Sequence, residues 1–140
     1  MVELAIVSVY IWIGFVGAIS FMEAWLKFRA PGVDLKIGLS IGQLVFSALN
    51  RVEWTLAFLL LGGLLLNFES VPNYFWGIIL LPISFLFIQS MVLLPRLKVQ
   101  AQEKIRGNSS QKSSIHIYYI IFELIKVVTL AGIGYMLFKF

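Results

Sequence analysis

The sequence predicts an all-α fold, an integral membrane four-helix bundle, and three observations predict it. Sixty per cent of the 140 residues are apolar and 13% are charged, against roughly a quarter charged in soluble domains. A water-soluble fold of this size leaves too much surface exposed to hide so many apolar side chains, so lipid must solvate most of them. Four long apolar runs are separated by short polar breaks. Basic residues gather in the first and third breaks and are missing from the second, which is how membrane topology distributes Lys and Arg. The chain is read as one domain, residues 1–140, with spans at about 4–26, 37–67, 74–94 and 115–138.

The first run, Leu4 to about Leu26, is long enough to cross at about 1.5 Å per residue. It starts like a leader peptide. Glu3 precedes it, however, no basic residue does, and no small-x-small cleavage pattern follows, so a retained helix is expected. Pro31-Gly32 breaks the chain after it. The second run, Ile37 to Asn67, is too long for one perpendicular crossing, and its first turns are expected to tilt or lie in the interface. Glu69 to Asn73 forms a turn, with Pro72 suited to the start of the next helix. The third span, Tyr74 to Leu94, carries Pro82 as an expected kink. Gly107 to Ser114 reads as a polar linker with Ser113 or Ser114 as an N-cap, and the fourth span follows from Ile115. Unbroken runs such as Leu56 to Leu66 exclude the alternating pattern of a lipid-facing β-barrel.

Charge sets the expected orientation. Lys27, Arg29 and Lys36 lie in the first connection, and Arg96, Lys98, Lys104, Arg106 and Lys112 in the third. The positive-inside rule places both connections in the cytoplasm and both termini outside, with a cell inner membrane as the expected location. Topology thus accounts for the net charge of +4, and no nucleic-acid partner is expected. Asn108-Ser109-Ser110 matches a glycosylation acceptor but falls on the cytoplasmic side. The absence of cysteine excludes disulfides, thiolate metal sites and cysteine nucleophiles.

Ionisable groups inside a span cost a few kcal/mol each on insertion scales, so each needs a reason. In the fourth span His116, Tyr119, Glu123 and Lys126 recur at i, i+3, i+7 and i+10 and line one face. Glu123 and Lys126 could neutralise each other as a structural pair. In the second span Gln43, Ser47, Asn50 and Trp54 form a stripe with Glu53 beside it. Arg51 points about 160° away from Glu53 around the helix, so Glu53 requires a partner on another helix, with Lys126 and His116 as candidates. Asn50 could serve a ligand or join helices. Ser20, Glu23 and Lys27 share a face of the first span, where Lys27 can reach the headgroups and Glu23 could follow it to water. Gln89 is the one strongly polar group within the third span. Gly38-x-x-x-Gly42 could bring helices together or let a loop fold back, and the basic third connection could hold anionic headgroups.

By depth these groups fall in the cytoplasmic half, while Trp12 to Gly17 and Leu56 to Leu66 leave the outer half almost free of polar side chains. The expectation is a polar cavity open to the cytoplasm, built from Glu23, Glu53, His116 and Glu123 and oriented by Asn50, Gln89 and Tyr119. Its function would be to bind or conduct a small ligand, proton or cation. Poorly hydrated carboxylates can carry protons near neutral pH. A metal, if any, would fall to Glu53, His116 and Glu123, although the Glu-x-x-His motif of carboxylate-bridged bundles is absent. The lone histidine excludes bis-histidine haem, and no cofactor is indicated. A structural or partner-binding subunit, and a homo-oligomer, stay open.

Phe21 to Val33, Gly42 to Phe46, Leu49-Asn50-Arg51-Val52-Glu53, Leu94-Pro95-Arg96-Leu97 and His116-Ile117-Tyr118-Tyr119 with Glu123 and Lys126 resemble small bacterial four-helix membrane proteins of uncharacterised function. These look related to the transmembrane-protein-205-like family. That resemblance implies the same fold and polar positions and no particular activity. Asn50-x-x-Glu53 also resembles the glutathione-binding signature of the membrane-associated eicosanoid and glutathione metabolism family, which implies a trimeric glutathione-dependent transferase. The arginine that family places before the asparagine is missing here, Arg51 follows it instead, and Phe46 and Ser47 stand where cations for glutathione's carboxylates are expected.

Overall fold

A computed structural model describes residues 2–107 and 115–139; the Asn108-Ser109-Ser110 acceptor, Lys112 and the Ser113 or Ser114 cap lie outside the described residues. Four helices are long and apolar enough to cross a membrane: α1 (Val2–Arg29), α2 (Leu35–Leu65), α3 (Asn73–Ile105) and α4 (Ile115–Leu137). They form an all-α bundle in which α1 packs on α2 and α4, and α3 packs on the same two from the other side.

Each break in the chain has a local cause. A 3₁₀ turn, Lys27–Arg29, ends α1, and Gly32 makes the following turn at φ +82°, a conformation that costs glycine nothing. Asp34 then caps α2, its Oδ1 accepting from the Ile37 amide at 2.8 Å, which satisfies one of the free donors at that terminus. Between α2 and α3 a 3₁₀ turn spans Phe68–Ser70. Pro72 stands just outside α3, and its carbonyl accepts from the Phe75 amide at 2.9 Å.

α2 is a single helix of 31 residues, about 46 Å long at 1.5 Å per residue and therefore longer than the roughly 30 Å hydrocarbon core. The third helix departs from the expected end at Leu94: it runs on through Pro95 to Ile105, so Arg96, Lys98 and Lys104 stand on a helix and not in a loop. Proline inside a helix removes one hydrogen bond and crowds the carbonyl four residues earlier. For Pro95 that carbonyl belongs to Met91, inside a π-helical turn, Gln89–Leu93, whose wider winding relieves the crowding. A second π-helical turn, Gly17–Glu23, widens α1.

The half of the bundle nearest the termini is a dry core. Val9, Trp12, Leu60, Leu64, Phe75, Leu130 and Ile133 are fully buried there. Where lipid is the solvent, close packing and not the hydrophobic effect holds helices together, and small residues permit it. A Cβ placed on Gly63 would lie 3.0 Å from the Ala5 backbone nitrogen, and one on Gly134 3.1 Å from the Tyr10 ring. The opposite end, which carries the α1–α2 and α3–α4 connections, is the basic end.

Candidate functional site

The polar side chains of the four spans resolve into three groups. The first is an ionic cluster at mid-bundle. Lys126 stands about eleven residues from either end of α4, roughly 16 Å along the axis. Its ammonium ion-pairs with Glu53 Oε1 on α2, donates to Glu123 Oε1 at 2.9 Å and donates to Gln89 Oε1 on α3 at 2.6 Å. Those three acceptors use all three of its N–H groups. Gln89 turns its Nε2 to Glu123 Oε1 at 2.6 Å, so one amide both accepts from the cation and donates to the anion. Glu53, Gln89, Glu123 and Lys126 each have 0% exposure.

α1 completes the cluster from the fourth side. The Trp12 indole donates to Glu53 Oε1 at 2.8 Å, and the Ser20 hydroxyl donates to Glu123 Oε2 at 3.2 Å. Glu53 Oε2 alone of the cluster's carboxylate oxygens is buried without a hydrogen-bond partner among the described residues. Tyr119, one helical turn from Glu123 and buried against the Phe46 ring at 5.4 Å, lies within electrostatic reach of both carboxylates.

The two π-helical turns sit beside this cluster and supply it. Ser20 belongs to the turn in α1 and Gln89 opens the turn in α3. Each turn inserts extra winding between the halves of its helix, so the apolar face toward the termini and the polar contact to Glu123 can both point inward. The sequence carries no mark of these turns. It also hides Trp12, which lies in the apolar half of α1 and becomes a donor only once Glu53 stands at its height.

The second group is the α2 stripe, which faces α3. Ser90 donates to Asn50 Oδ1 at 2.6 Å and accepts from the Trp54 indole at 2.9 Å. Gln43 donates to the Lys98 carbonyl at 3.4 Å, while the Ser47 hydroxyl returns to the Gln43 carbonyl of its own helix. Asn50 therefore joins helices, and Asn50 and Glu53, the pair read for glutathione, serve different neighbours. Arg51 is exposed on the far side of α2 and takes no part in the cluster.

The third group lies at the basic end. There a cavity of about 380 Å³ opens among all four helices, with Lys27, Lys98, Lys104 and His116 in its wall. Lys27 is held by Glu23 Oε2 at 3.3 Å, and its side chain is 9% exposed. Its ammonium also stands 5.5 Å from the ring centres of Phe28 and Phe46. Glu23 Oε1 is buried without a hydrogen-bond partner among the described residues.

The polar residues expected in one cavity are thus divided. Glu53, Glu123, Gln89 and Lys126 converge at mid-bundle, Asn50 joins α2 to α3, and His116 and the Glu23–Lys27 pair lie toward the basic end. Lys126 and not His116 is the partner of Glu53. Among the described residues no three His, Asp or Glu side chains come together as a metal would need, because Lys126 stands between the two carboxylates and His116 lies among lysines. No family model, no curated protein and no solved structure matches the chain.

Proposed function

We propose that this is a multi-pass inner-membrane protein whose Glu53–Lys126–Glu123 cluster binds and exchanges a proton, the member of the set proton, cation or small ligand that the geometry favours. The observation that carries the reading is the charge count. Two carboxylates face one ammonium where neither water nor lipid headgroups reach, so the fully ionised cluster holds one uncompensated negative charge. A single proton removes it. Glu53 Oε2, buried and unpartnered, offers the place for that proton without moving a side chain. A metal ion would have to displace Lys126, and a larger ligand would have to part the helices.

The route to the cluster would run from the basic end, which positive-inside topology turns to the cytoplasm. Glu23 is three residues beyond Ser20 on α1, and Ser20 already bonds Glu123. Along α4, His116 and Tyr119 precede Glu123 on one face. The resemblance to small bacterial four-helix membrane proteins is part of the same proposal and adds no activity to it.

The test uses protein reconstituted into vesicles, with an interior pH dye reporting flux under an imposed potential and infrared difference spectra reporting the protonated-carboxyl C=O band. Wild type should show both a proton flux and a titrating band. Glu53→Gln and Glu123→Gln should abolish or shift the band and lower the flux about ten-fold, while Glu3→Gln and Glu69→Gln change neither. Equal behaviour of all four variants would sink the proposal. A second reading, a purely structural clamp or subunit, draws support from the closed bonding of Lys126 on three helices; it expects no titrating band and no flux.

A further inference from the structure

The cavity at the basic end is not used by the proton reading and does not depend on it. We propose that it is a headgroup site for an anionic phospholipid, with the lipid phosphate taken by Lys98 and Lys104 and bounded by Lys27 and His116. Four features carry this. Its volume, about 380 Å³, lies in the range of about 300–1,000 Å³ typical of ligand sites. Its charge is of one sign: Lys98 and Lys104 have no ion-pair partner among the described residues, and the nearest carboxylate, Glu23, is already engaged by Lys27.

The third feature is construction. Gly42 leaves room for the Lys27 ammonium, which would lie 2.9 Å from a Cβ at that position, and Gly38 leaves room for the Phe28 ring. The Gly38-x-x-x-Gly42 spacing therefore seats the end of α1 against α2 and shapes the cavity floor. Fourth is place. The cavity sits where the spans give way to basic residues, beside an exposed Trp25 stacked by the Arg29 guanidinium at 4.7 Å, an arrangement of interfacial depth. Basic pockets between transmembrane helices at this depth suit lipid headgroups. The remaining wall, including Phe46, Leu97 and Ile117, is apolar, which a glycerol backbone and its first acyl carbons would use and a free phosphate would not.

The experiment measures binding to the purified full chain in delipidated detergent, by native mass spectrometry and by tryptophan fluorescence. The probes are short-chain phosphatidylglycerol, short-chain phosphatidylcholine and inorganic phosphate. Phosphatidylglycerol should bind about ten-fold or more tighter than phosphatidylcholine, as two lysine contacts near a headgroup would give. The double variant Lys98→Gln/Lys104→Gln should erase that preference with helicity unchanged. The control Arg96→Gln/Arg106→Gln, which removes the same charge outside the cavity, should retain it. Equal affinity for the two lipids, or equal losses in the two double variants, would overturn the proposal. Inorganic phosphate binding as tightly as phosphatidylglycerol would also overturn it, in favour of a soluble-anion site.

Discussion

Lys126 is the residue on which the buried chemistry turns, since its ammonium is shared among Glu53, Glu123 and Gln89 with no water in reach. Losing one partner of a buried ion pair leaves an uncompensated charge, which costs about 3–5 kcal/mol. The cluster is asymmetric, however, with two anions to one cation. Lys126→Met strands both carboxylates, whereas Glu53→Gln keeps one anion beside the cation. Unfolding in mixed detergent micelles should therefore show Lys126→Met destabilised by about 3 kcal/mol or more and Glu53→Gln by clearly less. Adding Glu53→Gln to Lys126→Met should recover part of the loss, because it removes one stranded charge. If the double variant is no more stable than Lys126→Met alone, the two groups are not coupled as the geometry says. Trp12→Phe tests the α1 contribution: it keeps the ring packing and removes the indole donor to Glu53, an expected cost of about 1–2 kcal/mol.

At the scale of elements, close helix approach can be separated from glycine composition, because α2 carries adjacent glycines in opposite settings. A Cβ on Gly63 would press on the Ala5 backbone, whereas one on Gly62 meets nothing within 4 Å. Gly63→Ala should lower the melting temperature in detergent. Gly62→Ala should leave it level or raise it, since alanine is the better helix former by about 1 kcal/mol. The reverse order would mean that α1 and α2 do not pack as described. The apolar runs made the four helices legible, and the one-face spacing of Tyr119, Glu123 and Lys126 showed which side of α4 turns inward. Glu53 was legible as a group needing another helix, because Arg51 points away from it. The extension of α3 was not, since Pro95 reads as a stop until the π-helical turn before it is known. Nor were those turns, Ser90 or Trp12. Hydroxyls and indoles inside apolar runs carry no periodic signal, and their role is fixed by what another helix brings to the same height.

For the whole molecule, the natural absence of cysteine makes orientation directly measurable. Gln102→Cys, at the basic end of α3, should react with an impermeant maleimide only from the cytoplasmic face of oriented membranes. Ser70→Cys, between α2 and α3, should react only from the opposite face. Labelling of both from one side would refute the bundle's proposed orientation. The histidine count has a comparable practical consequence. The chain holds one imidazole, and that ring stands in the cavity wall within electrostatic reach of Lys27 and Lys104. Labelling histidine nitrogen alone would give the molecule a built-in spectroscopic reporter: one resonance, free of overlap, whose position follows whatever anion enters beside it.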